Sequence, residues 1–243
     1  MIFLISILIL FTTTLFLTAL LRLRRDLEFP LAWGLVSFAS VVLVFQIANL
    51  LHGLNSGSLI LLLQSMLLAI SAAAWFFARK PALFPKDLNL RKAFSGLKLS
   101  KNAALTALLL VVVGVLLLSL VLIFVVPPNN NDALSFHVAR IVRWMQQGSY
   151  FPWETPFTWQ LTFPVNAQLT YLWTLLMSRT DNYIAYIPFL AGVLTSLLVY
   201  AFSREFGFSR KGAAFAGLFW LTFPVVQLRS EERRVGKECR SRW

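Results

Sequence analysis

The polar and ionisable residues of this chain with a spacing suited to chemistry lie in one stretch, NNNDALSFHVARIVRWMQQGSYFPWETPFTWQLTFP, beginning at Asn129. On a helical wheel of about 100° per residue, Asp132, Phe136, Arg140, Arg143 and Gln147 fall within about 80° of one another. Leu134, Val138, Ile141, Val142 and Met145 gather opposite, at about 180–280°. The pattern predicts an amphipathic helix over 131–147, with one carboxylate and two guanidiniums on its polar face. Asp132 is placed to act as a general base, or to cap the helix by accepting backbone N–H bonds after the NNN turn. Arg140 and Arg143 suit a phosphate, for which the guanidinium fork is well shaped, or they snorkel at a membrane interface. His137, at about 140° on the wheel, sits at the edge of the polar face. No other His or acidic pair near it has metal-ligand spacing. His52 stands alone in another loop and carries no role.

The elements that would position these groups are apolar. Hydrophobic residues make up 58% of the chain and charged residues 13%, with mean hydropathy +0.72. A soluble domain has about a quarter of its residues charged. Runs long enough to cross a bilayer core of about 30 Å recur at Ile2–Leu21, Pro30–Leu51, Ser58–Ala78, Asn102–Val126 and Tyr183–Phe202. The fold class expected is all-α, a multi-pass transmembrane helical bundle in a plasma or inner membrane. The first run ends in LRLRRD, a stop-transfer pattern, and is too long for a signal-peptide core. Arg22, Arg24 and Arg25 then mark the cytoplasmic side. Residues 1–126 carry four helices, with a basic cytoplasmic loop at 79–101. Within it, Leu88–Leu99 is read as an ordinary positive-inside loop rather than a lipid-bound amphipathic helix.

Residues 127–182 form the outer loop, where the predicted helix lies flat on the leaflet and Trp144, Tyr150, Trp153 and Trp159 suit interfacial depth. Val165–Met177 is short enough to favour an interfacial or re-entrant helix over a span. Residues 183–228 form a hairpin whose second arm, Gly212–Leu228, is barely a span. The net charge of +12 is read as membrane orientation, with no nucleic-acid partner implied, because seven of the basic residues lie between Arg79 and Lys101.

The last fifteen residues, RSEERRVGKECRSRW at 229–243, contain the only cysteine, Cys239. Codon by codon they match the in-frame translation of a short-read sequencing adapter. The expectation is a non-native tail on an N-terminal fragment whose natural frame continues past Leu228.

The order Asp132, His137, Arg140, Trp144, Gly148–Ser149, then Gln160, Pro164 and an apolar hairpin resembles the first outer loop of GT-C-type membrane glycosyltransferases. More closely it resembles the family-39 bacterial group, protein mannosyltransferase and aminoarabinose transferase-like. The segment YIAYIPFLAGVLTSLLVYAFSREFGFSRKGAAFAGLFWLTFP resembles the helices that follow in that group. The resemblance covers about Pro127–Leu228; the four helices before it depart from members that begin with one. It implies transfer of a sugar from a polyprenyl-phosphate carrier to a lipid, glycan or protein acceptor on the non-cytoplasmic face. It further implies Asp132 as base, Arg140 as the group that steadies the leaving phosphate, and His137 as its partner. Arg143 and Gln160 complete the expected substrate set. Membrane lipids are the other expected partners. No cofactor is firmly implied and a divalent metal is left open, since Asn131 and Ala133 flank a single acid where many relatives have two. A transporter or flippase of lipid-linked glycans is the alternative, as is an accessory membrane protein. A transporter tends to hold ionisable groups at mid-span, and these spans contain no Asp, Glu, Lys or Arg.

Overall fold

The computed structural model describes residues 1–23, 27–85, 103–125 and 133–223. Arg24, Arg25, most of the basic loop, Asp132, the end of the last apolar run and the adapter-like tail lie outside the described residues. Among the described residues all regular structure is helical. In chain order these are α1 (Ile2–Leu20), α2 (Glu28–Leu50), α3 (Gly57–Phe77), α4 (Ala103–Val125), a π-helical turn (Ala133–Val138), α5 (Ala139–Gln147), α6 (Trp159–Thr162), α7 (Asn166–Ser178), α8 (Tyr186–Glu205) and α9 (Arg210–Trp220). Five of them, α1, α2, α3, α4 and α8, are long and apolar enough to cross a membrane. At 1.5 Å per residue they span about 28–35 Å, the thickness of a bilayer core.

Their ends follow ordinary rules of helix termination. Ser56 opens α3 by accepting the Leu59 N–H at 3.2 Å, and Ser209 opens α9 by accepting the Gly212 N–H at 3.1 Å. Each satisfies one of the backbone donors that a helix start leaves unpaired. Arg22 follows α1, Arg79 follows α3 and Arg179 caps α7, all with positive φ. That left-handed stop usually falls to glycine.

The chain divides into two compact units. The first comprises Met1–Lys98 with Ile141–Thr180. In it α1 packs on α2 and α3, and α7 packs on α1 and α2. Hydrophobic burial cannot hold helices together where lipid is equally apolar, so packing and polar pairs must. The Trp173 indole N–H donates to Ser6 Oγ at 2.8 Å, and the Ser6 hydroxyl donates to Gln64 Oε1 at 2.7 Å. One buried chain of hydrogen bonds thus ties α7 to α1 and α1 to α3. Trp33 donates to Thr14 Oγ1 at 2.8 Å, tying α2 to α1. The α7 face bearing Leu169, Leu172, Trp173 and Met177 is buried, so this thirteen-residue helix is part of the unit's core.

The second unit comprises Leu99–Arg140 with Asp181–Trp243. Here α9 packs on α8 and α4. The Ser196 hydroxyl donates to the Gly217 carbonyl at 2.7 Å. A Cβ on Gly217 would lie 2.9 Å from the Ser196 carbonyl oxygen, so a residue without a side chain sets how closely the two helices approach.

Candidate functional site

The stretch expected to be one amphipathic α-helix begins instead with the π turn Ala133–Val138 and becomes α-helical only at Ala139. A π turn closes i→i+5 rather than i→i+4, so each residue rotates less than the 100° the wheel assumes. The phase between 133–138 and α5 therefore differs from the wheel. Phe136, Arg140, Ile141 and Trp144 are buried, whereas Val142 and Arg143 are exposed. The expected polar stripe is corrected within the regular α-helix as well, where the wheel's spacing holds and packing decides which residues are covered. Arg140, assigned to that stripe, is 1% exposed, and Val142, assigned to the apolar stripe, is 38% exposed.

Arg140 lies over Phe136, with its guanidinium carbon 5.6 Å from the ring centroid. The His137 ring lies 4.7 Å from the Phe136 ring, tilted by 59°. Phe136, counted on the sequence only as a member of the polar face, thus provides an aromatic surface for the cation. Such a pairing contributes about 0.5–2 kcal/mol, more as water is excluded. Burial pushes the Arg140 guanidinium pKa below its ordinary value by desolvation. It remains a cation, because arginine stays charged in proteins at physiological pH. Among the described residues Arg140 is the one buried charged side chain. A guanidinium shielded from water attracts an anion more strongly than an exposed one does. Arg143, one turn along α5, is exposed.

Past α5 the chain is held by polar clamps to the first unit's own helices. Gln147 Nε2 donates to the carbonyls of Ser149 and Phe151 at 2.7 and 2.8 Å. The Tyr150 backbone N–H donates to Asn49 Oδ1 at 2.8 Å, and the Tyr150 hydroxyl donates to Gln46 Oε1. The Leu54 N–H donates to the Gly148 carbonyl at 2.9 Å. Gly148 has φ +71°, the left-handed position that closes a helix. The sequence reading missed Gln46, Asn49 and Gln147 as anchors. Their signal was available, since Gln46 and Asn49 are amides inside an otherwise apolar run.

Trp144, expected at interfacial depth, is fully buried and packs 5.8 Å from the Tyr150 ring. Trp159 is 46% exposed. Gln160, on the single turn α6, is buried and its Oε1 accepts from the Thr155 hydroxyl at 3.2 Å. Gln160 belongs to the first unit, whereas His137 and Arg140 belong to the second. His52 contributes its carbonyl near Gly148 and a ring 5.4 Å from Phe151. Among the described residues no three His, Cys, Asp or Glu side chains gather as a metal site would require.

Comparison of the chain with family models, with curated proteins and with solved structures returns no match.

Proposed function

We propose that this protein is a multi-pass membrane glycosyltransferase of the GT-C, family-39 type. It moves a sugar from a polyprenyl-phosphate carrier to an acceptor hydroxyl on the non-cytoplasmic face. The observation that carries this reading is Arg140, a buried guanidinium placed on an aromatic ring beside His137, directly after a π turn. π turns interrupt the regular helix ladder and are frequent at functional sites.

In the proposed reaction the acceptor oxygen forms a bond to the sugar C1 while the C1–O bond to phosphate breaks. The electron pair leaves with the polyprenyl phosphate, and the acceptor proton passes to Asp132. Arg140 stabilises the charge that grows on the phosphate, an electrostatic contribution larger in a water-poor site than in solution. His137, in the same unit as Arg140, supplies a hydrogen bond to the donor. Within the candidate spans the buried polar groups are neutral, such as Ser6, Gln64 and Asn49. That favours surface chemistry over an ion-coupled transport path, which tends to carry ionisable groups at mid-membrane.

The test is sugar transfer in proteoliposomes by the protein expressed from its genomic locus, given a panel of labelled polyprenyl-phosphate hexoses and pentoses. Arg140→Met should lower turnover about 100-fold or more, the usual loss for one charge-stabilising donor. Melting temperature and membrane insertion are measured in parallel, because removing one partner of a buried charged interaction is itself destabilising, by about 3–5 kcal/mol, and a turnover loss counts where the variant remains folded. Turnover within about threefold of the unaltered protein would remove Arg140 from the mechanism.

A further inference from the structure

The first unit has a cleft of about 220 Å³ where α1 ends, α2 begins and the chain leaves α3. Thr18, Arg22, Leu23, Phe29, Pro81 and Phe84 line it. We propose that this cleft binds the phosphate headgroup of one anionic glycerophospholipid, with Arg22 pairing the phosphate and the Thr18 hydroxyl donating a hydrogen bond to it. The proposal rests on α1 being a membrane helix and not on sugar transfer.

Two observations point to a polar ligand. Thr12, Thr13 and Thr14, earlier in α1, each donate their hydroxyl to a backbone carbonyl three or four residues back. Thr18 is 1% exposed and its Oγ1 has no such partner. A buried hydroxyl left in that state costs about 1–3 kcal/mol, and an acceptor in the cleft would relieve it. Arg22 spends one N–H on the Ala78 carbonyl at 3.4 Å, out of the five that a guanidinium offers. Arg79 and Lys80, both exposed, stand just before Pro81 and add positive potential, which Glu28 beside Phe29 partly offsets.

Size and wall chemistry narrow the ligand. At about 30 Å³ per water the cleft holds about seven waters' volume. That is below the roughly 300–1,000 Å³ of pockets for whole drug-sized ligands. It admits a phosphate with its glycerol ester. Phe29 and Phe84 lie with ring centroids 5.6 Å apart, and with Leu23 they offer hydrocarbon to an acyl ester where a free phosphate ion would meet an apolar wall. The cleft also lies at the end of a helix of spanning length, the depth at which headgroups sit.

The experiment is native mass spectrometry of the full chain in detergent, titrated with phosphatidylglycerol, phosphatidylcholine or inorganic phosphate. One phosphatidylglycerol should be retained in about tenfold preference to phosphatidylcholine, and millimolar inorganic phosphate should not displace it. Arg22→Gln should erase the preference. Thr18→Val should lower it about fivefold, the worth of one hydrogen bond. Arg22→Lys, which keeps the charge but loses the fork, should lower it about threefold. Arg79→Gln, an exposed cation outside the cleft, should leave it unchanged. Equal losses in Arg79→Gln and Arg22→Gln would reduce the effect to general surface charge and overturn the site. Displacement by inorganic phosphate would overturn the lipid assignment, as would retention unaltered in both Arg22→Gln and Thr18→Val. Loss of sugar transfer in Arg140→Met bears on none of these outcomes.

Discussion

Replacing Gly148 by alanine isolates what the turn after α5 contributes. A side chain at φ +71° costs about 1–2 kcal/mol, because Cβ crowds the following carbonyl in the left-handed region. The new Cβ would also lie 2.5 Å from the His52 carbonyl oxygen, a backbone atom that cannot rotate away. Relief requires the turn to move, and movement loosens the Leu54 N–H bond to the Gly148 carbonyl, now 2.9 Å, worth about 1 kcal/mol. The expected total is about 2–3 kcal/mol. Gly207 is the internal control. Its φ is +83°, yet a Cβ there would meet nothing within 4 Å, so Gly207→Ala should cost only the left-handed term, about 1–2 kcal/mol. Both variants are compared with the unaltered chain by denaturant unfolding in one detergent, followed by tryptophan fluorescence. A Gly148→Ala cost no greater than that of Gly207→Ala would refute the contact argument.

Three further outcomes are expected. A double-mutant cycle of Ser6→Ala and Trp173→Phe should give a coupling of about 0.6 kcal/mol and below about 1.7, the range for hydrogen bonds between membrane helices; independent effects would mean that the indole and hydroxyl do not pair. Tyr150→Phe removes the hydroxyl that donates to Gln46 and should lower unfolding stability by about 1 kcal/mol, so an unchanged unfolding midpoint would discount that bond. Asp132→Asn should abolish sugar transfer while stability holds, because asparagine caps a helix as well as aspartate does; near-normal turnover would leave Asp132 a cap.

The five long apolar helices were legible because a run of that length has no other compact use. The thirteen-residue α7 was likewise legible as too short to span. Its burial by α1 and α2 was not, because that depends on single polar pairs such as Ser6–Trp173, far apart in sequence and without periodicity. The candidate site was legible in residue type and less so in orientation. Arg140 and His137 stand out in any reading of the loop, yet the π turn changes the rotation per residue over 133–138, and Phe136 and Arg140 are both buried. No side-chain pattern in ALSFHV announces that change, since i→i+5 closure depends on the surrounding packing. Trp144 is buried against Tyr150, a contact that composition does not announce.

The hydrogen-bond chain through Ser6 also orders events during synthesis. Its first two members, Ser6 and Gln64, emerge early, whereas Trp173 is made much later. At about 5–20 residues per second the ribosome needs about 5–20 s to pass from one to the other. Through that interval α1 and α3 are able to pair while the Ser6 oxygen still awaits the indole of α7. A chain made in this order gains the Trp173 indole as the last member of the hydrogen-bond chain.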